Sequence, residues 1–246
     1  MLRSLRRSVG QSLSQRWSST SSTPSSLTTH QALATSRIVL DIMRFGISGT
    51  RLDALGKASP VQERWAHAMQ ILVATQAHAA TAFGYEATGP GVMLYRNHWT
   101  SCLQTAPAEV KADLESIESE VWAEVLLRGF ALPPKPMSLE TARAFATAVQ
   151  RAVDGDAAIS KSVAEAIETL PADEADRDAK AMQLVQSANF EMQKSLAPEL
   201  GYDGDDGFVQ LQAALVLHVM TDPVVMHTTS ASMHTLCHKA GVKPPF

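Results

Sequence analysis

Residues Ser59–Gly84 read SPVQERWAHAMQILVATQAHAATAFG, and this stretch decides the fold class. Ser59 suits a helix N-cap, Pro60 the first helical position and Gln62 the capping-box partner three residues on. Val61, Trp65, Met69, Leu72, Ala79 and Phe83 recur at three- and four-residue steps and draw one apolar stripe. Gly84 stands where a left-handed residue ends a helix. Such a segment is about 36 Å long, enough to cross a small domain and organise its neighbours.

The same grammar repeats on both sides. A helix is predicted from Thr28 or Thr29 through Leu33, Ile38, Leu40, Ile42 and Phe45 to Gly46. After a turn over Gly46–Thr50, a short helical piece runs from Arg51 to Leu55, ending at Gly56. The loop Gly84–Gly91, GYEATGPG, has three glycines but neither GxGxxG nor GxxxxGK, so it reads as a connection. Val92–Leu103 is helical, and Pro107 opens a further helix to Arg128 with Val110, Leu114, Ile117, Val121 and Val125 on one face. Glu109, Asp113, Glu115, Glu118, Glu120 and Glu124 fill the rest, as on a solvated face that could dock a basic partner. Gly129 closes it.

Residues 131–137, ALPPKPM, carry three prolines in four positions, which stiffens the chain and forbids helix. The main subdivision is placed there. Ser138 caps a helix through Phe145, Val149 and Val153, and Ile159, Val163, Ile167 and Leu170 mark the next. A long one spans Asp173–Leu196, polar at its start. Phe208–Met220 is the most apolar stretch, but Gln210, Gln212 and His218 interrupt it, so it reads as buried and not membrane-spanning. Alternating strand patterns are nearly absent. The fold class expected is all-α, an irregular bundle of about eight to ten amphipathic helices without a transmembrane span. Its parts are residues 1–26 (presequence and Ser-rich spacer), 27–130, the linker 131–137, and 138–246.

The N-terminus has a different composition. Residues 1–40 contain no Asp or Glu, Arg3, Arg6, Arg7 and Arg16 are basic, and serines dominate from Ser18 to Ser26. Leu2, Leu5, Val9 and Leu13 share one helical face with Arg3 and Arg7 opposite. An Arg- and Ser-rich, acid-free amphipathic start reads as an organelle presequence, most simply mitochondrial. A plastid transit peptide or a retained basic arm has the same composition. Arg16-Trp17-Ser18 resembles a processing site, which would start the mature chain near Ser18. The whole chain has 21 Lys+Arg against 25 Asp+Glu, a net charge of −4. Without the four arginines of residues 1–17 it has 17 against 25, or −8. With no run of Lys or Arg after residue 50, direct nucleic-acid binding is not expected. Cys102 and Cys237 form no CxxC pair and read as reduced packing residues.

Chemistry has few places to sit. Tyr202-Asp203-Gly204-Asp205-Asp206-Gly207 fails as a calcium loop, because Tyr202, Gly204 and Ala213 fall at ligand positions. Asp205 or Asp206 is expected to cap the Phe208 helix instead. The C-terminal helix, capped by Asp222, begun by Pro223 and ended by Gly241, carries His227, His234 and His238 on one stripe. His227 is about 10.5 Å along the axis from His234, too far to share a metal, whereas His234 and His238 lie one turn apart. Zinc needs further ligands, with His218 the candidate and Cys237 pointing somewhat away. Neither HEXXH nor a haem-binding CxxCH is present, and the bland account is a set of hydrogen-bonding, interface histidines. His67 and His78, eleven residues apart, cannot chelate together. No GxSxG elbow or P-loop occurs.

The expectation is a non-catalytic accessory subunit of a mitochondrial inner-membrane complex, ATP synthase or the respiratory chain, on the matrix side. Its partners would be other protein subunits, with at most peripheral membrane contact and no cofactor. The alternatives are a helical matrix enzyme or metal protein holding zinc or haem through His234 and His238, and a mitoribosomal or assembly-factor protein.

Overall fold

The computed structural model describes residues 24–56, 59–155, 157–171 and 176–243; the presequence expected over residues 1–17 lies outside them. Among the described residues the chain forms ten α-helices and no strand, and no single helix is long and apolar enough to cross a membrane. The all-α expectation is met.

Helix α1 (Thr29–Phe45) starts from a complete capping box between Thr28 and Gln31. A single residue, Gly46, separates it from α2 (Ile47–Asp53), where a longer turn was expected. The organising stretch becomes α3 (Val61–Thr81), with Pro60 itself in the cap position and no side-chain cap bond. The proline takes the extended backbone of a cap (ψ 145°), so the helix begins one residue later than the Ser59 box requires. Gly84 does adopt the left-handed conformation, at φ +87°.

Thr88 caps α4 (Gly89–Thr105) by accepting from the Gly91 N–H, so the glycine-rich connection ends three residues sooner than expected. Helix α5 (Ala108–Phe130) runs past Gly129. Its end is made by Ala131, a non-glycine residue at φ 59°, ψ 35°. The C-terminal half holds α6 (Leu139–Gly155), α7 (Ala157–Glu168), α8 (Arg177–Leu196), a 3-10 turn (Ala197–Leu200), α9 (Gly204–Thr221) and α10 (Pro223–Lys239). Asp203, not Asp205 or Asp206, holds the cap position of α9, and Asp205 pairs with Lys194 at 2.5 Å.

Three apolar cores result. One joins α1, α2, α3 and α5 around Met43, Leu52, Leu72 and Val121. A second packs Leu27 and α4 against the end of α3 and Leu114 of α5, with Trp99 and Leu103 at its centre. The third joins α6, α8 and α10 around Phe145, Val185 and Leu236. Helix α9 enters all three: Phe208 and Leu211 join the third core, Val209 and Ala213 the first, and Met220 the second. The helix that gathers the chain is therefore α9 and not α3. Each large side chain buried this way contributes on the order of 1.5–3 kcal/mol. Helices α9 and α10 are bent by 114° about Asp222 and form no straight span.

Candidate functional site

Helix α10 folds as its sequence dictates. Asp222 accepts from the Val225 N–H at 2.9 Å and from Arg143 Nη2 at 2.6 Å, and Gly241 ends the helix at φ +70°. The Arg143 guanidinium, and after it the Val225 amide, hold the Asp222 carboxyl below its usual range.

His227, His234 and His238 all lie on the exposed side of α10. Cys237 faces the opposite way, fully buried in the third core, and burial pushes its thiol up. His218 is engaged elsewhere, with its Nε2 2.9 Å from the Met137 carbonyl oxygen. Among the described residues no three His, Cys, Asp or Glu side chains converge as a metal group. His234 and His238 thus remain an exposed i,i+4 pair, which supplies half a tetrahedral shell. His67 and His78 are exposed on α3, and Cys102 is a buried free thiol in the second core.

The acidic side of α5 is not the solvated face expected. Glu118 is buried, accepts from the Trp122 indole at 3.2 Å and pairs with Arg96 at 3.5 Å. Glu120 and Glu124 both clamp Arg44 of α1, at 2.7 and 2.9 Å. Half of the acidic row is thus answered by this chain's own arginines. An acid at four-residue spacing from a tryptophan on the same helix is the signal that could have marked Glu118 as internal.

The proline-rich segment after α5 is a strap laid over α9. Gln210 Nε2 donates to the Pro133 carbonyl at 2.7 Å, and the Tyr202 hydroxyl to that of Pro136 at 3.2 Å. His218 donates to that of Met137. Lys135 bonds the Gly201 carbonyl and places its ammonium 4.4 Å from the centre of the Tyr202 ring. Proline has no N–H to offer, so carbonyls are what such a strap can present, and Tyr202 with Gln210 and His218 of α9 supplies the donors. Beneath it lies a pocket of about 320 Å³ between Trp122 and Leu126 of α5 and Leu217 of α9. Its walls are mainly apolar; Gln210 and His218 are engaged with the strap, and Ser119 Oγ donates to the Glu115 carbonyl within α5. It can take an apolar group.

The most exposed large apolar residues lie at the α1–α2 corner. Phe45 is 85% and Ile47 66% exposed. Phe45 follows the buried Met43 by two residues, about 200° round the helix, so it points away from the inward row Ala32, Ser36, Val39 and Met43. Arg128 of α5 fixes the corner from behind, donating to the Met43 and Arg44 carbonyls at 2.8 and 2.7 Å and pairing with Asp53. Its neighbour Leu127 is also half exposed. Phe-Gly-Ile at a helix junction was the available signal.

No protein-family model, curated protein or solved structure matches this chain.

Proposed function

We propose that this chain is a non-catalytic accessory subunit of a mitochondrial inner-membrane complex, ATP synthase or the respiratory chain, held on the matrix side by protein contacts. The α1–α2 corner, where Phe45 and Ile47 stand exposed, carries this reading. A solvent-facing apolar corner gains free energy when another protein covers it, and exposed apolar surface is what such interfaces bury. Two sequence features agree with it. The Arg- and Ser-rich, acid-free start suits import, and the acidic remainder suits protein partners over nucleic acid.

Blue-native electrophoresis of detergent-solubilised mitochondria, probed for this protein, tests it. Migration with an inner-membrane complex is the expected result, and the composition of that band would name the complex. Migration near the chain's own 26.5 kDa would overturn the proposal.

A further inference from the structure

Helices α3 and α8 face one another with matching rows at positions i, i+3, i+4 and i+7. Gln62, Trp65, Ala66 and Met69 stand on one side, and Gln186, Asn189, Phe190 and Gln193 on the other. A cleft of about 370 Å³ lies between them, closed by Gln212 of α9 and Met233 of α10. The first core backs one wall through Trp65 and Met69. Phe190 packs on both the first and third cores and stands edge-on to Phe208 at 4.6 Å. Trp65 is braced by Trp122, stacked at 5.9 Å.

The lining is unusual in its chemistry: five carboxamides, two aromatic rings, and not one charged side chain. The amides are only partly occupied. Gln62 Nε2 donates to Ser187 Oγ at 2.7 Å, bridging the two helices and leaving its carbonyl oxygen. Gln212 Nε2 donates to Gln193 Oε1 at 2.7 Å. Gln193 is 7% exposed, yet its amide nitrogen meets no acceptor among the described residues. That nitrogen is not sealed in the core, because the one sealed, unpartnered side-chain atom among them is Arg64 Nε. Gln186 and Asn189 likewise make no side-chain hydrogen bond among these residues.

We infer that this cleft binds a nucleoside or free nucleobase, an uncharged planar heterocycle with alternating donors and acceptors along its edge. Carboxamides pair with such an edge through one donor and one acceptor at a time, as Asn and Gln do with adenine. Aromatic side chains supply the apolar surface on which a flat ring rests, worth about 1–3 kcal/mol per base. A phosphate or carboxylate would lose its water here without a counter-charge, so a nucleotide is disfavoured. The net negative charge acts in the same direction. A cleft of this size is within the range of small-ligand sites and admits a base with its ribose. The site stands apart from the subunit proposal, and the blue-native result leaves it untouched.

Isothermal titration calorimetry on the full chain tests it, with adenosine, guanosine, cytidine and uridine as probes and AMP and glucose as comparators. At least one nucleoside is expected to bind saturably at one per chain, with AMP at least about tenfold weaker. Gln193→Met keeps the volume, removes the donor and is expected to weaken binding about tenfold. Asn189→Ala, at a more open position, serves as the second variant should Gln193→Met fail to fold. Absence of binding by all four nucleosides, or nucleoside affinity unmoved by Asn189→Ala and by a folded Gln193→Met, would overturn the inference. So would AMP binding as tightly as its nucleoside, or glucose binding while nucleosides do not.

Discussion

His218 Nε2 sits 2.9 Å from the Met137 carbonyl oxygen and ties α9 to the last residue of the proline strap. The imidazole is half-buried, and losing it leaves a carbonyl facing an apolar pocket. His218→Ala is expected to destabilise the protein by about 1–2 kcal/mol. Tyr202→Phe, which removes the longer 3.2 Å bond to Pro136, is expected to cost less. Urea midpoints with an unchanged slope would show this, and a His218→Ala midpoint equal to wild type would contradict it.

Ala131 ends α5 in the left-handed conformation, where a Cβ crowds the following carbonyl. Glycine relieves that strain, of order 1–2 kcal/mol, but gains about 0.4–1 kcal/mol of freedom in the unfolded chain. Relief of strain outweighs the added freedom. Ala131→Gly should therefore raise stability, by roughly 0.5–1 kcal/mol, and a lower melting temperature in calorimetry would refute it.

Asp222 carries the predicted pH dependence. Arg143 and the first turn of α10 hold its folded pKa below the unfolded 3.8. Its stabilisation is present above that value and fades as pH falls through the lower folded one. Asp53, held down by Arg128, acts in the same sense. Urea midpoints measured down from about pH 5 should fall for wild type. Asp222→Asn keeps a capping oxygen but loses the titration, so its curve should be shallower. Parallel curves would show that this carboxylate is not responsible.

Phe45 and Ile47 separate folding from assembly. Phe45→Ser and Ile47→Ser remove no buried contact and should change stability by less than about 0.5 kcal/mol. The double variant should leave the complex band on a blue-native gel while its melting curve stays at the wild-type position. Retention in the complex would move the docking face elsewhere.

Local grammar made most helix ends legible. The Thr28–Gln31 box, Pro107, Ser138, Asp222–Pro223 and the left-handed Gly84, Gly201 and Gly241 are decided within four residues of sequence. The Ser59 box, the Gly129 end and the Asp205 or Asp206 cap missed by one to three residues, and the larger failures came where distant segments decide. Glu118 looks like a surface acid until Arg96 and Trp122 close on it. The segment 131–137 looks like a spacer until donors 66 to 81 residues later claim its carbonyls. The amide cleft exists because rows about 125 residues apart face each other, and either row alone is an ordinary polar flank of an amphipathic helix.

The place of α9 in the chain carries a consequence for how the protein is made. Synthesis delivers the N-terminus first, so residues 24–203 emerge before the helix that completes their cores. Until Val209, Ala213 and Met220 arrive, apolar surface on α1, α3, α4 and α5 stays open to water. The interval before the last forty-odd residues emerge is when a chaperone has surface to hold.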